Sequence, residues 1–367
     1  MTRTERSVLA AIALVTVLAG VADYASWSPV PRFAIATLAL AGLAWVVSFS
    51  TEQLGERLGP AQTGMLQATL GNLPELFVVI FALQKGELVV AQTAIVGSIL
   101  ANALLVLGLV IVVGARRAPD GVMRFHRRLP RDTATLMQVT VFIIVLLGLS
   151  LGSHDSASHH VKAISIVGAV CLLVVYATWV GPYLRGDKPP VVEEGEAGDD
   201  PDERAAAGGA ARSEARLSLA TSIALLAVGG VAAAFVSDWF IAGLRPAIGT
   251  LHVSQAFAGL VIVAIAGNAV EHGAGVMLAY RRRSDLAISV VKNSVAQISA
   301  FLFPVLVLIS FALSTTLTFA LAPVYIGALA LTVLAVAQVT GDGEAAAFEG
   351  WALVALYVVL ATFTLYE

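Results

Sequence analysis

The chain has 367 residues, of which 58% are hydrophobic and 13% charged, with a net charge of −3 and one cysteine. A soluble domain carries about 25% charged residues, so an ordinary soluble enzyme is excluded, as are a disordered chain and a nucleic-acid binder with its basic domain. The lone Cys171 excludes an internal disulfide framework and a thiolate-built metal site.

Apolar runs of roughly 20 residues, long enough to cross a bilayer as helix, recur between charged and Gly/Pro-rich breaks. They predict an all-α polytopic membrane protein with eleven transmembrane helices, at 7–25, 31–50, 62–84, 88–114, 133–152, 161–184, 217–240, 253–280, 286–311, 316–338 and 349–366. Arg3 and Arg6 before the first run, and small residues from Ala22 to Ala25 after it, also fit a signal peptide. The reading taken is a retained helix. With the N-terminus inside, alternate loops place 17 basic residues on the cytoplasmic side, among them Arg57, the arginines from Arg116 to Arg131 and Arg281 to Arg283. Four fall outside: Arg32, Lys85, Lys162 and Arg245. This bias is the positive-inside pattern, and it sets the expected orientation in a bacterial cytoplasmic membrane.

Residues 185–215 hold Asp187, Glu193, Glu194, Glu196, Asp199, Asp200, Asp202 and Glu203 among Gly, Ala and Pro. That composition cannot form a core and predicts a flexible cytoplasmic linker. It lacks the carboxylate spacing of an EF-hand, and no Walker A sequence occurs anywhere in the chain.

The span at 62–84 contains Gly71-Asn72-Leu73-Pro74-Glu75, and the span at 253–280 contains Gly267-Asn268-Ala269-Val270-Glu271-His272. Both read G-N-x-x-E, 196 residues apart, and Gly97-Ser98 stands opposite Asn293-Ser294 at the same offset. The chain therefore divides into an N-terminal helix (1–30), a first five-helix repeat (31–184), the linker (185–215) and a second five-helix repeat (216–367). A tandem copy of an odd number of spans inserts upside down. Inverted repeats of that kind build secondary transporters, with the site near the midplane.

Glu75 and Glu271 sit near mid-span, where a carboxylate costs about 2.5–3.5 kcal/mol. Asn72 with Glu75, and Asn268 with Glu271, are i and i+3 and share a helix face. Ser98, Ser294 and Gln297 add oxygens, with Asn102 and Asn293 as a secondary tier. Gly71, Gly267 and Pro74 favour local unwinding. Two carboxylates with neutral oxygens and no thiolate suit a hard divalent cation such as Ca²⁺. Asn and Ser alone would serve equally as hydrogen-bonding glue between helices; two midplane carboxylates without a midplane arginine would not.

These residues resemble the calcium/proton exchanger (CAX) family of the cation/calcium exchanger superfamily. The similarity lies in Gly71 to Leu76, Ala82-Leu83, Gly86, Gly97 to Asn102 and Leu104 to Gly108, then in Gly267 to His272, Asp285-Leu286, Ser294, Gln297-Ile298 and Pro304. It implies that Glu75 and Glu271 bind Ca²⁺ and exchange it for protons, with Asn72, Asn268, Ser98 and Gln297 nearby and His272 beside the second carboxylate. The family usually has Gly-Ser where this chain has Asn293-Ser294, and an apolar residue where it has Lys292.

The expected function is a secondary transporter, not an enzyme, exporting cytoplasmic Ca²⁺ against entering H⁺ by alternating access. It needs no cofactor; Ca²⁺ and H⁺ are cargo. Membrane lipid is its surroundings, a homo-oligomer is possible, and nucleic acid is no partner. Na⁺/Ca²⁺ exchange is the alternative, and a cation channel a weaker one. His272 could relay protons. Lys292 should point away from the carboxylates and reach the cytoplasmic interface by its long stem. His154, Asp155, His159 and His160 read as a solvated outer loop rather than a metal site. Trp239 and Trp351 suit the interfacial aromatic belt.

Overall fold

The computed structural model describes residues 1–55, 70–126, 128–184 and 217–367. The linker and Arg57 lie outside the described residues. In chain order the helices are α1 Arg3–Tyr24, α2 Pro29–Gly55, α3 Leu73–Gln84, α4 Leu88–Arg117, α5 Arg128–Ser153, α6 Val161–Leu184, α7 Leu219–Leu251, α8 Gln255–Gly267 with Ala269–Tyr280, α9 Ser284–Ser310, α10 Pro323–Thr340 and α11 Ala347–Leu365. Among the described residues nine of these are long and apolar enough to cross a membrane, and α8 makes a tenth span as a pair bent by 61°. The shorter α3 is the second part of the expected span 62–84. The fold is thus all-α and polytopic, as a bilayer demands of a chain that must satisfy its backbone within each span.

Two boundaries differ from the sequence reading. The seventh helix runs on to Leu251 through Arg245 and Pro246, where a break at 240 was expected. The tenth starts at Pro323, not at 316. Proline fits the first turn of a helix, where its missing N–H is no loss, and the stretch before it is held as a loop by Ser310, whose hydroxyl accepts from Leu317 N at 2.9 Å.

Contacts sort the helix ends onto two faces. On one, Lys85 after α3 pairs with Asp238 of α7 at 2.5 Å. Glu87 before α4 holds Arg245 Nε at 2.5 Å and accepts from Gln255 Nε2 at 3.2 Å. Arg32 pairs there with Asp23 and lies against Gly243. On the other face Arg117 covers the Tyr280 ring at 4.6 Å, Arg116 approaches Trp351, and His126 N donates to Asp285 at 2.6 Å. The end of α3 therefore lies beside the start of α8, and the two helices bearing the G-N-x-x-E segments run in opposite directions. Three of the four basic residues expected outside share the first face.

One element had no signal in the hydropathy. Val122–Arg124 and Glu344–Ala346 form a two-stranded antiparallel ribbon on the second face, joining the loop after α4 to the loop after α10. In the loop after α5, Asp155 caps the short helix Ser156–His160 by accepting from Ala157 N and Ser158 N. Its carboxyl is held below the usual range, chiefly by the Ser150 hydroxyl. This carboxylate has a structural task.

The centre of the bundle is α4 and α9, the most deeply enclosed long helices. Glycine allows α4 to cross α8 at backbone distance: a Cβ on Gly97 would lie 2.5 Å from the Leu260 backbone, and one on Gly259 would run into Thr93.

Candidate functional site

Both G-N-x-x-E segments break their helix at the same point. Asn72 has φ −96° and ψ 19°, and Asn268 has φ −98° and ψ 11°. Each is the N-cap of the half-helix that follows, and neither spends its side chain on the cap. Leu76 N donates to Asn72 O, and His272 N to Asn268 O, both at 3.0 Å. Glu75 and Glu271 consequently stand in the first turn of their half-helices. There the free N–H groups and the positive end of the helix dipole favour an anion. Pro74 lies in the first turn of α3, where proline is at home. The second break has Val270 at that position and forms without a proline, so glycine and asparagine suffice.

Because the half-helices run in opposite directions, their N-termini meet. The Glu75 side chain rests against the Gly267 backbone, so close that a Cβ on Gly267 would lie 2.5 Å from Oε1 and 2.8 Å from Cδ. Asn268 Nδ2 donates to Ser98 Oγ at 3.1 Å, linking the second segment to α4. Asn102 Nδ2 donates to Ser98 O at 3.0 Å. Ser294 lies beside the Glu271 carboxyl but closes no hydrogen bond of normal length. Glu75, Asn72, Ser98, Asn102, Asn268 and Ser294 are buried, while Glu271 and His272 are half-buried.

Buried polar atoms in a folded protein are nearly always hydrogen-bonded, so each exception needs a reason. Here Glu75 Oε2, Glu271 Oε2, Asn268 Oδ1, Asn102 Oδ1, Ser294 Oγ, Asn72 Nδ2 and His272 Nε2 all lack a partner among the described residues. Five of those seven atoms are oxygens, four of them pure acceptors, the ligand chemistry of Ca²⁺. No group of three or more His, Cys, Asp or Glu that could hold a metal occurs among the described residues. The oxygen set therefore rests on two carboxylates plus amides and hydroxyls.

Other predicted residues stand further from this centre. Asn293 is half-buried and gives its amide to Ser289 Oγ at 3.3 Å. Gln297 is half-buried at the end of the α-helical part of α9. No hydrogen bond among the described residues joins either to a carboxylate. Sequence reasoning missed the wide π turns at Ala101–Val106, Ala258–Val263 and Ile298–Leu302, which follow Ser98, precede Asn268 and follow Gln297. Such turns gather at functional sites, and Asn102 lies within the first. No spacing in the sequence announces them.

Lys292 corrects one expectation. Its side chain does not reach the interface: the residue is 1% exposed, with Nζ 3.4 Å from Thr340 Oγ1 on α10. Its expected direction, away from the carboxylates, agrees with that partner. A buried amine with one long hydrogen bond is an unfavourable interior group, and an apolar replacement of similar volume is often neutral or stabilising. Lys292→Met should leave Ca²⁺ affinity unchanged and hold or raise the melting temperature. A shifted pH profile of transport in that variant would place the lysine in the site.

The family model described as "Sodium/calcium exchanger protein" matches residues 28–181 and 221–366. The vacuolar calcium ion transporter of Schizosaccharomyces pombe is 32% identical over 94% of this chain and 81% of its own length. A Ca²⁺/H⁺ antiporter of Aphanothece halophytica is 29% identical over 91% of this chain and 90% of its own. Among solved structures, native YfkE superposes with a TM-score of 0.79 at 24% identity, covering 98% of this chain and all of that one. A structure described as the H⁺/Ca²⁺ exchanger CAX superposes with a TM-score of 0.73 at 17% identity, over 99% of this chain and 89% of its own. These two likenesses concern the fold.

Proposed function

The chain belongs to the sodium/calcium exchanger protein family, and from that premise we propose that it is a Ca²⁺/H⁺ antiporter of the integral membrane class, a transporter and not an enzyme. The observation that carries the reading is the meeting of two half-helix N-termini, each bringing one carboxylate whose second oxygen has no partner among the described residues. In our proposal Glu75 and Glu271 bind the cation. Asn268, Ser98, Asn72 and Ser294 line the same place, Asn102 stands behind them, and Gln297 joins in another conformation of the cycle. His272, next to Glu271, passes protons to it.

The mechanism is competition for one site. Two bare carboxylates in a low-dielectric interior repel and cost solvation energy. Ca²⁺ neutralises both at once, and so do protons, so occupancy by one excludes the other. The empty charged pair is the state of highest energy, which suppresses crossing without cargo. We read residues 31–184 and 216–367 as two inverted repeats that rock about the shared site. The antiparallel course of α3 and α8, with matching backbone angles at Asn72 and Asn268, supports that division. The basic bias of the second face supports a cytoplasmic N-terminus. The membrane we propose is the bacterial cytoplasmic membrane, with Ca²⁺ leaving as protons enter.

The test is ion flux in inverted vesicles with an imposed proton gradient and no Na⁺. Ca²⁺ uptake should follow the gradient in size and collapse when a protonophore is added. Uptake that requires Na⁺ would move the assignment to Na⁺/Ca²⁺ exchange, and uptake indifferent to both gradients would remove proton coupling.

A further inference from the structure

The lipid-facing side of α7 carries two parallel apolar grooves. The first, about 620 Å³, lies against α3 and is lined by Leu73, Phe77, Phe81, Gly230, Ala234 and Asp238. The second, about 460 Å³, lies toward α1 and is lined by Thr16, Val228, Ala232 and Trp239. Ala227, Val231 and Phe235 line both. Val231 and Phe235 stand 59% and 57% exposed, as a ridge between the two. Each groove follows the helix for about a dozen residues, roughly 18 Å at 1.5 Å per residue. That is about half the ~30 Å hydrocarbon thickness, the depth of a single leaflet.

The grooves end together at a polar site. Lys85 Nζ holds Asp238 through Oδ1 at 2.5 Å and through the backbone oxygen at 3.0 Å, using two of its three donors. The two side chains remain 34% and 42% exposed. Trp239, packed edge-on against Tyr24, marks the headgroup level here.

We propose that this face binds one phospholipid of the outer leaflet, its two acyl chains straddling the Val231–Phe235 ridge and its headgroup seated on Lys85 and Asp238. Two apolar channels joined at one polar end match a two-chain lipid. A neighbouring helix from a second copy would fill one groove and leave the other. The paired charges select the headgroup: phosphate takes the remaining lysine donor, and an ammonium group takes the exposed side of the aspartate. An ethanolamine headgroup satisfies both; a glycerol headgroup leaves the aspartate unmatched. The chain in the first groove touches Leu73 and Phe77, which flank Glu75 on α3, so lipid occupancy and the cation site share a helix.

Native mass spectrometry of the full chain, delipidated and then titrated with dioleoyl phosphatidylethanolamine or phosphatidylglycerol, tests this. One phosphatidylethanolamine should bind more tightly than phosphatidylglycerol. Ala234→Phe and Ala232→Phe each fill one groove and should weaken binding about tenfold, the loss expected when a few methylene contacts are displaced. Asp238→Asn should abolish the preference between headgroups while leaving chain binding. Melting curves and Ca²⁺ flux report whether each variant is folded, and Asp238→Asn keeps the test open if a phenylalanine variant does not fold. Equal binding of both lipids, lipid retention in Ala234→Phe and Ala232→Phe equal to that of the unmodified chain, or a dimer that Ala234→Phe dissociates would overturn the proposal.

Discussion

Glu75→Gln and Glu271→Gln should each abolish Ca²⁺ exchange in a protein that still folds and inserts. Each change removes one charge from a carboxylate whose Oε2 has no hydrogen-bond partner among the described residues. Truncating one member of a buried, charge-paired site costs about 2–5 kcal/mol, or roughly 30- to several-thousand-fold in affinity. The fold should not suffer, because neither carboxylate has a cationic partner among the described residues to strand. Without Ca²⁺ the amide variants should melt at the same temperature as the unmodified protein or higher, since a pair of repelling charges is reduced to one. With Ca²⁺ in excess the unmodified protein gains stability by mass action, about 2.7 kcal/mol at a hundredfold excess over Kd, and the variants should gain none. Calorimetry with and without Ca²⁺ separates these terms. Full Ca²⁺-induced stabilisation in either variant would show that its carboxylate is structural.

The fold was legible in the sequence because lipid leaves so little choice. Each apolar run must satisfy its own backbone, so span number follows from hydropathy. The matched placement of Glu75 and Glu271 at the start of two half-helices was legible because a midplane carboxylate is too costly to occur twice at one spacing by chance. What escaped depends on geometry that hydropathy does not encode. The ribbon of Val122–Arg124 with Glu344–Ala346 joins loops more than 200 residues apart. The π turns insert one residue into largely apolar helices, where hydropathy does not register the change. The seventh span was expected to end at 240 but α7 runs on through Pro246, since a single proline near a helix end removes one hydrogen bond without ending the helix. Lys292 was judged by the reach of its stem, and the neighbouring Thr340 that holds it lies 48 residues further on.

Gly267 separates stability from function most sharply. A methyl group there would sit 2.5 Å from Glu75 Oε1, 2.8 Å from Cδ and 3.1 Å from Cγ. The obstructing atoms are the far end of a flexible side chain, so Gly267→Ala displaces the carboxylate rather than the helices. Folding should change little: alanine gains about 0.5–1 kcal/mol over glycine in a helix, offset against a Glu75 rotamer change of similar size. Ca²⁺ affinity should fall about tenfold to a hundredfold, the scale of loss when a reacting or binding group moves by an ångström. Gly273→Ala, six residues further along α8 with nothing within 4 Å of its Cβ position, is the control and should transport normally. If Gly267→Ala unfolds the protein, the glycine serves helix packing. If it leaves Ca²⁺ affinity intact, Glu75 does not bind the ion from its place against the opposite half-helix, and the carboxylates act one at a time.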